Sequence, residues 1–294
     1  MTQPVPRPEA SLIRGFLWMS GAIISFVAMG IGGRELSDNL STLQILTFRS
    51  LVALFITILI ILLVGWHVVK TEHISLHFFR SISHFGGQFG WFFGISLLPL
   101  STVFALEYAT PVWTAILAFI FLRERMHRAR VLAILSGIFG VLLILRPGLR
   151  IIDPASLIVI GAAFCYAVAY ILTKTMTKTE HPLAILFYMN LIQLPIGFGL
   201  AVFVWVTPSM LDIQWIILVG VGGFFSHYCL ARALQFADTL TVIPIDFMRL
   251  PIIATIGYFF YNEPFEVITL LGAVIIFIGT YYNIRYESAH NKTI

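Results

Sequence analysis

The chain has 294 residues, of which 59% are hydrophobic and 11% charged, and its net charge at pH 7 is +4. Soluble proteins carry roughly 25% charged and 45–50% apolar residues, so a soluble globular domain is excluded and the chain is integral to a membrane. Its positive charges sit in short connections and form no continuous basic face, which excludes nucleic acid as a partner and leaves the lipid bilayer as its surroundings.

A crossing needs about 20 mainly apolar residues. Ten such stretches are predicted, at about 13–33, 43–65, 79–98, 101–122, 129–146, 155–174, 183–206, 213–234, 240–261 and 265–284. Ahead of them, Met1 to Arg14 is polar and proline-containing and lacks the pattern of a cleaved leader, so the first stretch is expected to remain as a transmembrane helix. The second carries Arg49 about six residues from its start, where snorkelling to the interface and a place in a polar site both stay open. The third holds Gly86, Gly90 and Gly94 on one face, a ladder expected to let a neighbouring helix approach closely. His84 and Gln88 also share a face of this helix, and Trp91 lies deep within it. Only Pro99, Leu100 and Ser101 mark the turn into the fourth, which contains Glu107 and Pro111 and is followed by Glu124.

Cys165 and Cys229 both lie in apolar stretches and read as small core residues, not as a disulfide framework or a metal site. The eighth stretch carries Gly220, Gly222, Gly223 and His227. The ninth holds Pro244, Asp246, Arg249 and Pro251 and is followed by Glu263. Trp66, Trp205 and Trp215, near helix ends, suit the interfacial belt, whereas Trp18, Trp91 and Trp113 lie deeper.

Glu124 and Glu263 are 139 residues apart, and the same offset matches Thr102-Val103 with Thr241-Val242, Glu107 with Asp246 and Gly140 with Gly279. A slip of one residue matches Pro111 with Pro251 and Arg34 with Lys174. The chain therefore reads as one unit written twice, over residues 12–146 and 155–285, with five crossings in each. With the N-terminus in the cytoplasm, 13 lysines and arginines fall on the cytoplasmic side and 3 on the other. Both termini are then expected inside. Five crossings is an odd number, so the second unit enters from the opposite side, and Glu124 is expected inside with Glu263 outside. The fold class is thus all-α integral membrane, ten helices in two inverted five-helix repeats, an arrangement that places a site between the repeats.

The runs Leu106 to Glu124 and Ile245 to Glu263 each have a polar start, a mid-helix proline, an apolar stretch and a terminal glutamate, and a glycine-bearing helix follows each. This pattern resembles the EamA-type carriers of the drug/metabolite transporter superfamily over about residues 12–285. The resemblance implies a ten-helix secondary carrier for amino acids, nucleosides, vitamins or other small metabolites, with Glu124 and Glu263 as family-motif residues. Arg80 to Leu100 also looks like the third helix of branches that include S-adenosylmethionine and riboflavin carriers.

The leading expectation is a secondary transporter in the cell inner membrane that moves a small polar or amphipathic metabolite by alternating access. An S-adenosylmethionine or riboflavin uptake carrier is the named alternative. A non-transporting receptor or lipid-handling protein is the alternative of another class. No enzyme motif is present, and neither a cofactor nor a metal is expected; a homodimer stays open. The candidate substrate-binding residues are Arg249, Asp246, Glu107, Arg49, His84, Gln88, Trp91 and His227, with Pro111 and Pro251 as gating kinks. Asp246 and Arg249 share a face of helix nine. They read either as an ion pair that neutralises both groups or as a guanidinium fork held for a substrate carboxylate, with Glu107 across the cavity.

Overall fold

The computed structural model describes residues 12–122, 126–147, 152–176, 179–236 and 245–290. Among these the regular structure is helical: α1 (Leu12–Ser37), α2 (Thr42–Val64), α3 (Ile74–Leu97), α4 (Leu100–Glu107), α5 (Thr110–Leu122) and α6 (Arg128–Leu145) in the first half. The second half holds α7 (Pro154–Met176), α8 (Pro182–Ala201), α9 (Met210–Phe236), α10 (Arg249–Tyr261) and α11 (Val267–His290). Among the described residues, eight segments, counting α4 and α5 as one, are long and apolar enough to cross a membrane. Leu63, Phe203 and Phe260 are among the large apolar side chains left exposed on the outside of the bundle, a surface suited to lipid. The protein is an all-α integral membrane protein.

Helix boundaries follow local chemistry. Ser41 begins α2 with a capping box, its side chain accepting the Gln44 N–H while the Gln44 side chain reaches back. Asn262, in the left-handed conformation at φ 51°, ends α10 and turns the chain towards Glu263.

Within a membrane, helices associate through close packing and not through burial from water, so small residues decide which faces meet. The expected ladder in α3 is used in this way. A Cβ on Gly90 would lie 2.9 Å from the Ile158 carbonyl oxygen, and one on Gly94 would lie 2.3 Å from Val159, so α3 rests directly on α7. At the other side α6 meets α11, where a Cβ on Gly140 would come within 2.6 Å of the Gly272 carbonyl.

The main contacts are α1 with α9, α3 with α7, α2 with α8 and α6 with α11. Exchanging the halves maps this set onto itself, because it turns the first pair into the second and leaves the other two unchanged. The exchange also holds at single residues. Gly140 touches Gly272, and its counterpart Gly279 touches Ala133, the counterpart of Gly272 at the 139-residue offset. The partner number falls as the residue number rises, so the equivalent helices α6 and α11 run antiparallel.

Candidate functional site

Helix four is broken in its middle. Residues 108 and 109 form a turn between α4 and α5, and residues 247 and 248 form a turn just before α10. The two turns are separated by the same 139 residues as the rest of the repeat. Proline explains the position of each. Pro111 has no N–H to give the Glu107 carbonyl and would crowd it, so the helix ends at Glu107 and Pro111 falls in the first turn of α5. Pro251 stands in the same relation to Phe247 and lies in the first turn of α10. The prolines thus start the second half-helix instead of bending a continuous one, a sharper interruption than the expected kinks.

A break at this depth frees carbonyls that need other donors. Thr110 Oγ1 donates to the Glu107 carbonyl at 2.7 Å, and the Tyr108 hydroxyl donates to the Asp246 carbonyl at 3.2 Å. The Tyr108 and Phe247 rings, equivalent by the repeat, stack with centroids 3.9 Å apart and planes 12° from parallel. The two broken helices therefore meet face to face.

Their polar ends converge on Arg249, the first residue of α10. Its Nη2 donates to Asp246 Oδ2 at 3.0 Å, and its Nη1 lies 3.7 Å from Glu107 Oε1, within ion-pair reach. The guanidinium also sits 4.5 Å above the centre of the Phe26 ring, a cation–π contact. Asp246 and Glu107 are not across a cavity from one another but share one arginine. Glu107 is further held by Trp91, whose indole Nε1–H donates to its Oε2 at 2.9 Å.

Beside this cluster lies a narrow cavity of about 20 Å³, water-sized in this state, lined by Phe26, Met29, His84, Gln88, Trp91, Glu107, Tyr166, Tyr170 and His227. These side chains come from α1, α3 and α4 of the first half and α7 and α9 of the second, so both halves build the walls. The His84 and His227 rings lie 5.2 Å apart, and Gln193 Nε2 lies 3.2 Å from His84 Nδ1 while also donating to the Ser81 carbonyl at 2.9 Å. Arg49 reaches the same wall. It is fully buried, and its Nη1 donates to Gln88 Oε1 at 3.1 Å, so the snorkelling reading of this residue does not hold. Among the described residues no group of three or more histidines, cysteines or acids could hold a metal.

The eight candidate residues are thus brought into one continuous cluster, five lining the cavity and Arg49, Asp246 and Arg249 bonded to or packed around those five. Sequence reasoning passed over Phe26, Met29, Tyr166 and Tyr170. The two tyrosines are four residues apart among small residues of α7, a spacing that places both on one face. Tyr108, at the break itself, was also missed.

Glu263 lies at the far end of α10 and is buried. It pairs with Arg34 at 3.0 Å and accepts the Leu100 N–H at 2.8 Å, tying the second half to α1 and to the start of α4. Glu124, its repeat partner, lies outside the described residues, as do Pro244 and the Thr241-Val242 pair.

The sequence profile of the EamA-like transporter family matches this chain twice, over residues 13–146 and 153–285. The chain belongs to the EamA-like transporter family. Its curated relatives include an S-adenosylmethionine uptake transporter of Rickettsia prowazekii (strain Madrid E), 26% identical over 94% of this chain and 94% of that protein. A riboflavin transporter of Brucella anthropi is 28% identical over 84% of this chain and 89% of the relative. Another riboflavin transporter, from Vibrio cholerae serotype O1, is 26% identical over 95% and 96%. A crystal structure of a protein 14% identical in sequence superposes with a TM-score of 0.65, covering 91% of this chain and 95% of that one, and shares its fold. As an EamA-type protein the chain is a multi-pass membrane transporter of small metabolites and not an enzyme.

Proposed function

We propose that this EamA-type carrier works by alternating access, with the central cavity as its substrate site. The observation that carries the reading is the meeting of two broken helices beside a cavity walled by polar side chains from both halves. Interrupted helices supply half-helix ends and unpaired polar groups at membrane depth, where an ordinary helix offers none. Arg249, Asp246, Glu107, Arg49, His84, Gln88, Trp91 and His227 are the residues assigned to substrate contact or to its immediate support.

In this reading residues 12–146 and 155–285 form two inverted five-helix halves that exchange roles as the cavity opens to one side and then the other. The lysine and arginine bias supports both termini on the cytoplasmic side of the cell inner membrane. The Arg34–Glu263 pair then lies at the outer face, where it closes the cavity from outside. At the other end His77 Nε2 lies 3.2 Å from Glu180 Oε2, and Glu180 also accepts from Thr71 at 2.8 Å, which closes the cytoplasmic side in the same way. Uptake of an S-adenosylmethionine-like or riboflavin-like metabolite is favoured by the relatives.

The experiment is uptake into proteoliposomes with a panel of amino acids, nucleosides, S-adenosylmethionine and riboflavin. At least one is expected to enter unchanged, saturably, and to raise the melting temperature of the purified protein. Chemical alteration of the solute, or binding without passage for every ligand that stabilises the fold, would overturn the carrier reading.

A further inference from the structure

Arg49 carries a charge that the fold does not neutralise. It is fully buried, yet among the described residues it pairs with no carboxylate. Among the described residues its one hydrogen bond runs from Nη1 to Gln88, while Nε and Nη2 meet no acceptor. Space for the guanidinium is built in at Gly223, where a Cβ would lie 2.7 Å from Arg49 Nε. Any other residue at 223 would push the fork away. Burying a guanidinium without filling its donors is costly. Arg80, one helical turn before His84, differs because its Nε donates to Thr173 Oγ1 at 2.8 Å and only Nη1 is left over.

Arg249 is the opposite case. Two carboxylates, Asp246 and Glu107, surround one guanidinium, and Glu107 faces the cavity. The sequence-based expectation that Arg249 waits for a substrate carboxylate therefore meets an arginine whose charge is already matched, although its Nε and Nη1 have no hydrogen-bond acceptor. The acid in excess belongs to Glu107; Arg49 and Arg80 both lack a carboxylate among the described residues, and of the two it is Arg49 that bonds a cavity-lining side chain, Gln88.

Helix α3 supplies a partner to each of the two. Gln88 holds Arg49 and Trp91 holds Glu107. These residues are three apart on one face, about 4.5 Å along the helix axis. A positive pole and a negative pole are thus each held by a side chain of one helix, and both holders line the cavity. Met29, Tyr166 and Tyr170 supply apolar and aromatic surface beside them. We infer that the cavity is built for the α-amino-carboxylate group of an amino acid or of a larger metabolite bearing one, the carboxylate on Arg49 and the ammonium on Glu107. The inference rests on the carrier reading and names its substrate class. It also separates the two kinds of relative, because riboflavin has no such group.

The test uses purified full-length protein and two matched pairs of probes: S-adenosyl-L-methionine with its decarboxylated form, and L-methionine with 3-(methylthio)propylamine. Riboflavin is the control without an amino-acid group. Affinity is read from ligand-dependent thermal shift. For at least one pair, the carboxylate-bearing member is expected to bind wild-type protein about 100-fold more tightly, since a site built to bond a group rejects the analogue that lacks it. Arg49→Gln should weaken that member by a similar factor and leave its decarboxylated partner unchanged, closing the gap. Arg49→Lys keeps the charge without the planar fork and should fall between. The wild-type comparison decides the matter even where Arg49→Gln does not fold. Equal binding within each pair, a gap that survives Arg49→Gln, or stabilisation by riboflavin alone would overturn the inference and leave the carrier intact. A carboxylate-bearing probe that binds through Arg49 but never enters proteoliposomes would instead overturn the carrier reading and leave the site.

Discussion

Trp91 is buried with one polar atom, and that atom is spent on Glu107 at 2.9 Å. Trp91→Phe keeps most of the ring and removes the donor. We predict a loss of about 1 kcal/mol or less in stability, because Glu107 keeps Arg249 beside it, but a drop of about tenfold in apparent affinity for transport. Unchanged uptake kinetics would show that the indole only fills space. Arg249 allows a sharper comparison. Arg249→Ala leaves two buried carboxylates without a counter-charge and should cost about 3–5 kcal/mol, enough to unfold many membrane proteins. Arg249→Lys keeps the charge but not the fork that reaches Asp246 and Glu107 together, so the melting temperature should nearly survive while uptake falls at least about tenfold. Wild-type uptake by Arg249→Lys would reduce this residue to charge neutralisation.

At the level of helices, the ends and the contact faces were readable because they follow from local chemistry. The glycine spacing of α3 announced a close neighbour, and Gly90 and Gly94 do lie against Ile158 and Val159. Proline announced two interruptions, but not that Tyr108 would stack on Phe247, since that contact is made between elements 139 residues apart. The identity of the cavity wall was only half legible for a similar reason. Charged and amide groups at membrane depth stand out against an apolar background, whereas Phe26 and Met29 look like any other core residues. The pairing of Arg49 with Gln88 depends on the room left by Gly223 on a third helix, which no local pattern encodes. The α6–α11 contact offers a direct test. Gly140→Val places side-chain atoms where the Gly272 carbonyl now stands at 2.6 Å. Overpacking of this kind should cost about 1–3 kcal/mol, visible as a lower melting temperature, while Gly161→Ala, which meets nothing within 4 Å, should change little.

Across the whole molecule, the exchange of halves makes a topological prediction. Once Cys165 and Cys229 are replaced by alanine, single cysteines next to Glu124 and next to Glu263 should react with impermeant reagents from opposite sides of the membrane. Labelling from one side would break the inverted arrangement, and with it the symmetry that lets one set of contacts serve two states. The glutamates themselves should then act on opposite faces. Glu263→Gln loosens the tie to Arg34 and Leu100 and should raise labelling at that end of the bundle.

The symmetry is broken at the one place where it would be expected to be most faithful. Tyr108 and Phe247 are counterparts, but only Tyr108 has a hydroxyl, and it serves the Asp246 carbonyl. The reciprocal bond from Phe247 to the Glu107 carbonyl does not exist, and Thr110 fills in there instead, at a position where the other half has Arg249. If the two access states are each other's image, this difference separates them in energy by about 1 kcal/mol, the worth of one ordinary hydrogen bond. That is roughly a fivefold bias in occupancy without cargo. Exchanging the two residues, Tyr108→Phe with Phe247→Tyr, should reverse the side from which cysteines in the cavity are labelled, and an unmoved labelling pattern would place the bias elsewhere. Which way the empty molecule rests would then be decided by a single oxygen at the join between two copies of the same design.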